Sequence, residues 1–302
     1  MKTELIVKDN ALINASYNLD LVEQRLILLA IIEARETGKG INANDALDVH
    51  ASSYIHHFNV EKHTAYSVLK QAADDLFERR FSYQFTNENG NAEYVKSRWV
   101  SEIRYVENEA LIKLIFAPSV VPLITRLEKH FTSYELKQVS QLSSRYAVRL
   151  YELLIAWRST GKTPLFNLEH FRNQLGIADD EYKRMELFKR RVLDVAVGQI
   201  NEFTDITVEY EQHKKGRSIA GFSFSFKQKQ KPKKLDTKKL ELSEKQLDLF
   251  STKLAHDPVF AGRFSAVGET YNEFASRIKK QLKNPSNLEK YSAYLDKLGL
   301  KI

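Results

Sequence analysis

Between residues 183 and 217 the sequence gathers ammonium and guanidinium groups in two clusters. Lys183-Arg184 and Lys189-Arg190-Arg191 lie in EYKRMELFKRRVLDVAVGQINEF, and Lys214-Lys215-Gly216-Arg217 follow in EQHKKGRS. A guanidinium is a planar fork that can donate two parallel hydrogen bonds to O6 and N7 of guanine, whereas an ammonium is a point charge suited to phosphate oxygens. On a helix, Phe188, Val192, Leu193, Ala196 and Ile200 make one apolar stripe. Leu187, Arg190, Arg191, Asp194 and Gly198 then face the other way, with Lys183 and Arg184 just ahead of the first turn. A helix-turn-helix inserts the N-terminal end of such a helix into the major groove of DNA. Arg184, Arg190 and Arg191, with Asp194 beside them, are therefore the candidates for base or near-base contact, and Lys183 and Lys189 for phosphate contact. Lys189 falls nearer the apolar side and must snorkel outward. Lys214, Lys215 and Arg217 sit at a tight turn between DITVEYE and SIAGFSFSFK, where they fit phosphate or minor-groove contact.

Other chemistries find little support. AWRSTGKT (156–163) matches a loose phosphate-loop pattern, but it follows a helix and lacks the first glycine that lets backbone wrap a phosphate. His56, His57 and His63 lack the carboxylates or cysteines that would complete a metal site. There is no His-hydrophobic-His pair of the kind a DNA nickase sets beside its tyrosine. The expectation is no catalytic activity, no cofactor and no metal. Cysteine is absent, which excludes disulfides and thiolate sites. The longest apolar run, Leu26 to Ile32, is far short of the roughly 20 residues that span a bilayer. With no signal-like N-terminus, these features predict a cytoplasmic protein without a membrane partner. The net charge of +7 is weak evidence for nucleic-acid binding by itself, so the placement of the charge matters more.

The elements that must hold the cationic clusters recur twice. A first long helix, NLDLVEQRLILLAIIEARETG, is capped by Asn18 or Asp20 and stopped by Gly38. A short helix spans about 51–58, and a third, EKHTAYSVLKQAADDLFERR, follows a break at Asn59. Strands are expected at 81–85 and 96–106 around Asn89-Gly90-Asn91, then in ALIKLIFA. The same order returns with helices at about 143–157, 167–175 and 186–203, then the hairpin that turns at Lys215-Gly216. A constant offset lays VLKQAADDLF (68–77) over VLDVAVGQIN (192–201) and SYQF (82–85) over ITVE (206–209), which reads as a domain duplication. The first copy turns His63, Ser67, Lys70, Gln71 and Asp74 outward. That face is polar but hardly basic, which suits DNA-backbone contact or dimerisation.

Three segments follow. Residues 1–130 read as a first winged-helix domain, 131–230 as a second, main DNA-reading one, and 231–302 as a basic linker with a small helical C-terminal tail. The fold class is α+β, with tandem winged helices. Lys227, Lys229, Lys231, Lys233, Lys234, Lys238 and Lys239 crowd the linker around Pro232. In the tail, Phe260, Phe264, Val267, Tyr271, Phe274 and Ile278 recur at helical spacing, which predicts one helix with a sticky face, followed by a last helix from about 285 to 298.

LYELLIAWRSTGKTP, EYKRMELFKRRVLDVAVGQINEFTDITVEYEQHKKGR and FSFSFK resemble the second winged helix of the iteron-binding plasmid replication initiators (RepE/RepA/Pi type). KDNALINASYNLDLVEQRLILLAII resembles the opening of that family's first domain. The resemblance covers about residues 5 to 228 and leaves the tail outside. It implies binding of double-stranded DNA at origin direct repeats by a monomer that opens the origin. It also implies an equilibrium with a homodimer that represses its own promoter, an interface in the first domain, and recruitment of the host replication initiator and the replicative helicase. The alternative is a winged-helix transcriptional repressor without an initiation role, which needs the same DNA-reading helix.

Overall fold

Asp20 is the residue that opens the long N-terminal helix, Leu21–Thr37, and the Glu23 carboxylate reaches back to accept from the Asp20 N–H at 2.7 Å. Gly38 ends it with φ of 70°, its N–H donating to the Ala34 carbonyl. Leu26 to Ile31 are all buried, because this helix runs through the core of the first half. The computed structural model describes residues 4–40, 42, 44–125, 131–229, 242–266 and 269–300. Its two units are Met1–Lys229 and Gln230–Ile302.

In the first unit, helices Ala51–Phe58 and Lys62–Glu78 meet at Asn59, whose φ of 49° makes the sharp turn between them. Strands Arg80–Thr86 and Ala92–Arg98 form the hairpin that follows. The strand expected over 96–106 is in fact two, Ala92–Arg98 and Val100–Val106, which serve different sheets. Trp99 is the reason. Its ring is fully buried, edge-on to Tyr17 at 4.9 Å and tilted on Phe81 at 5.0 Å, so the chain bends about it and changes ladder. Val100–Val106 then pairs with Leu111–Phe116, which also pairs with Leu47–His50.

The second copy repeats the plan. Helix Arg145–Ile155 has every residue from Tyr146 to Ile155 buried. Leu168–Gln174 is capped by Asn167 and closed at Gly176, which has φ of 72°. A Cβ on Gly176 would lie 2.4 Å from the Tyr17 carbonyl oxygen, so glycine is needed here for close approach as well as for backbone sign. The helical run over 185–203 leads into the hairpin of Ile206–Lys215 and Ser218–Gln228, with Phe166–Asn167 as a third strand. The offset noted in the sequence holds in the packing. Leu69 and Leu193, Ala72 and Ala196, and Leu76 and Ile200 are corresponding positions, and all are buried. Strand Phe131–Glu135 pairs antiparallel with the N-terminal strand Leu5–Asp9, so the two halves share a sheet.

They also share a buried polar hub. The Glu152 carboxylate accepts from Lys8 Nζ at 2.6 Å, from the Tyr134 hydroxyl at 2.6 Å and from Arg149 Nη1 at 2.7 Å. Arg149 in turn donates to the carbonyls of Ile13, Ala15 and Gln174, each at 3.0 Å. Burial pushes the Glu152 carboxyl up, but the charges of Lys8 and Arg149 and the hydrogen bonds outweigh it and hold it at about 2. A carboxyl held below its ordinary 4.5 stabilises the fold fully above that pH and loses its contribution as pH falls toward 2. The stability gap between the native chain and a Glu152→Gln variant should therefore narrow from pH 5 to pH 2.5 in urea melts. A gap independent of pH over that range would contradict it.

The second unit has its own core of Leu247, Phe250, Leu254, Phe260, Phe274, Ile278, Leu282, Leu288, Tyr291 and Leu295. The single sticky helix expected over 260–278 is instead two helices, Pro258–Phe264 and Tyr271–Leu282. Gly262 and Ser265 weaken the first, and Thr270 starts the second with a capping box to Glu273. Phe260 and Phe274 remain in contact, but Tyr271 is 61% exposed, and Val267 lies outside the described residues. Glu244–His256 is a helix that the sequence reading did not anticipate, while Pro285–Lys297 matches expectation. The lysine-rich stretch from 231 to 241 also lies outside the described residues.

Candidate nucleic-acid interface

The second-copy helix begins at Met185, with Arg184 in extended backbone just ahead of it. It is regular through Phe188, widens into a π turn over Lys189–Leu193, and continues as Asp194–Phe203. The Asp194 N–H donates to the carbonyl of Lys189, five residues back. Such a turn holds one residue more than an α turn, and π turns are frequent at functional sites. Here it lets the neighbours Val192 and Leu193 both face the core while Arg190 and Arg191, also neighbours, both stay exposed. The core side is anchored by Phe188, which meets Phe171 and Phe222. The apolar stripe is as the sequence indicated, with Leu187 half-buried.

Asn201 ties the base of the hairpin to this helix through Val208, and two bonds between side chains brace it nearer the tip. Lys189 Nζ donates to Gln212 Oε1 at 3.3 Å, and the Tyr210 hydroxyl donates to Asp194 Oδ1 at 2.8 Å. Gln212 lies close to the tip, so the brace fixes where Lys214, Lys215 and Arg217 stand relative to the arginines. All three tip cations are exposed around Gly216, whose φ is 65°. Lys183, Arg184, Arg190 and Arg191 are exposed too, and Lys189 is half-buried by its stem. Arg184 and Arg190 both reach Glu186, whereas Arg191 has no ion pair among the described residues. The basic residues singled out in the sequence are thus brought together on one helix and its adjoining hairpin. The brace itself, through Tyr210 and Gln212, was missed. It joins residues distant in sequence, and no local pattern announces it.

The first copy presents a different surface. His63, Ser67, Lys70 and Gln71 are exposed on Lys62–Glu78. Lys70 pairs with Glu107 at 3.2 Å, Gln71 donates to Asp75 at 3.1 Å and Ser67 donates to the Thr64 carbonyl. Asp74 and Glu78 are exposed alongside, so the helix lacks the cationic excess of its counterpart. In the first hairpin Arg80 and Lys96 are exposed cations that the sequence reading left out. The AWRSTGKT segment forms turns bonded to the Ser218–Gln228 strand, through Thr163 to Phe224 and Phe226 to Gly161, and opens no helix. Among the described residues no helix is long and apolar enough to cross a membrane.

The chain matches the family model for "Initiator Replication protein, WH1" over residues 5–155 and that for "Initiator Rep protein, WH2" over residues 167–226. It is 25% identical over 237 residues to an uncharacterized 27.6 kDa protein of Escherichia coli, covering 75% of this chain and 95% of that one. A replication initiation protein of the same organism is 25% identical over 185 residues, 61% of this chain and 54% of the relative, so the match spans about half of that protein. The crystal structure of Pi initiator protein in complex with iteron DNA superposes with a TM-score of 0.62 at 22% identity, covering 76% of this chain and 100% of that one. That likeness shows the shared fold, two winged helices in tandem.

Proposed function

We propose, from the premise that this chain belongs to the initiator replication protein family, that it binds short direct repeats at a plasmid origin and starts replication there. The observation that carries the reading is the exposed basic half of the second-copy helix, braced to a basic hairpin tip through Lys189–Gln212 and Tyr210–Asp194. Arg184, Arg190 and Arg191 meet base edges. Lys183, Lys214, Lys215 and Arg217 meet phosphates, and Lys189 and Asp194 chiefly hold helix and hairpin in register. His63, Ser67, Lys70 and Gln71 of the first copy supply weaker backbone contacts.

In this reading residues 1–130 carry dimerisation, 131–230 carry base recognition, and 231–302 form an extension. A monomer opens the origin, and a homodimer in equilibrium with it represses the promoter. The host replication initiator and replicative helicase are recruited, and the work is done in the cytoplasm without catalysis by this chain. The test is binding to a duplex of tandem repeats from beside the gene, against a shuffled duplex, over a salt series, followed by a plasmid-maintenance assay. Repeat-dependent binding that weakens with salt supports the reading, and equal weak binding to both duplexes defeats it.

The hairpin tip gives a separate expectation. Replacing Lys214, Lys215 and Arg217 together by Ala should weaken binding to every sequence alike and make the log–log salt dependence shallower by about 2 to 3. A loss confined to particular base positions would instead make these base-reading residues.

A further inference from the structure

Glu186 stands inside the basic cluster, in the first turn of the second-copy helix, and two arginines reach for it. Arg184 Nη2 donates to its Oε2 at 2.9 Å, and Arg190 Nη1 lies 3.6 Å from its Oε1. The side chains of Arg184, Glu186 and Arg190 are 74, 62 and 59% exposed, so the two pairs contribute little to stability in water. For attraction to a phosphate backbone the carboxylate is a liability, since it offsets positive charge where an anion must approach. In the major groove its chemistry is selective. Guanine and thymine present acceptors that repel it, whereas cytosine N4 and adenine N6 are amino donors, and cytosine suits it better because adenine sets the N7 acceptor beside its amino group.

We propose that Glu186 is a specificity-determining residue of this interface, an inference that rests on the DNA-binding reading above. Its carboxylate acts in two ways. It biases the Arg184 fork, through the hydrogen bond at 2.9 Å, and Arg190 more weakly, toward one arrangement before docking, which trims part of the rotamer freedom lost on binding. It also demands an amino donor, cytosine N4, beside the guanines that the arginines read. With guanine or thymine in that place the carboxylate is left against acceptors, and with adenine against N7 beside the amino group, so the repulsion rejects the first two and weakens the third.

The test uses the full chain with Glu186→Gln, which keeps side-chain length and removes the charge. It is titrated against the repeat duplex, every single-base-pair variant of one repeat, and a shuffled duplex. Affinity for shuffled DNA should rise about three- to tenfold. Preference at one C·G pair should fall about tenfold or move toward adenine, whose N6 and N7 suit a carboxamide, while preferences elsewhere persist. An equal change on repeat and shuffled DNA, together with a lower Tm, would mean that Glu186 only supports the helix, and would overturn the proposal. Unchanged discrimination at every base pair would overturn it as well. If the native chain itself fails to prefer the repeats, the DNA-binding reading falls and takes this inference with it, an outcome visible before the variant is used.

Discussion

Glu152→Ala is expected to lower the free energy of unfolding by about 3–5 kcal/mol, the scale on which removing one partner from a buried ion network acts. The loss is large because what remains is uncompensated. Lys8 and Arg149 are both buried, and each gives up its only carboxylate partner among the described residues. Lys8 can escape by losing its proton, since burial already draws its ammonium below the ordinary range. Arg149 cannot, and among the described residues keeps only the carbonyls of Ile13, Ala15 and Gln174 as acceptors. The Tyr134 hydroxyl loses its acceptor at the same time. Urea melts at pH 7 measure the effect, and a loss below about 1 kcal/mol would show that the hub is structurally incidental. Because it joins the N-terminal segment to helix Arg145–Ile155, the variant should also release the Leu5–Asp9 strand to faster amide exchange.

Alanine at Arg190 or Arg191 should cost about 1–3 kcal/mol of repeat binding each, with the loss concentrated at one base position per residue. The two differ in starting state. Arg190 leaves a weak pair with Glu186, whereas Arg191 has no ion pair to give up among the described residues, so its alanine variant reports on DNA contact most directly. Both lie in the π turn away from the core, so neither substitution should move the Tm appreciably. Titration against single-base-pair variants separates this from the uniform loss expected at the hairpin tip. Unchanged binding to every variant would remove the residue from the recognition surface.

Much of this protein is legible along the chain because the relevant interactions are local. The caps at Asp20 and Asn167, the glycine stops at Gly38 and Gly176, and the stripe of Phe188, Val192, Leu193, Ala196 and Ile200 follow from backbone chemistry and helical period. Alternating residues around Gly216 likewise mark the second hairpin. The arginine cluster is visible for the same reason, since a residue's outward direction is set by its near neighbours.

Where the sequence misled, a distant contact overrode a local pattern. Residues 96–106 alternate like one strand, but burial of Trp99 against Tyr17 and Phe81 divides them between two sheets. The apolar spacing from 260 to 278 suits one helix, yet Phe260 and Phe274 meet across two.

By itself, then, the sequence determined the duplicated helix–helix–hairpin order, the buried stripes and the exposure of the cations, all consequences of periodicity over a few residues. The tertiary structure alone decided the Glu152 hub, the pairing of 5–9 with 131–135 and the brace from helix to hairpin. Those depend on groups brought together from separations along the chain that run from 16 residues in the brace to 144 in the hub. Each rests on hydrogen bonds, buried in the hub and part-buried or exposed in the brace, that exist only once the chain has closed on itself.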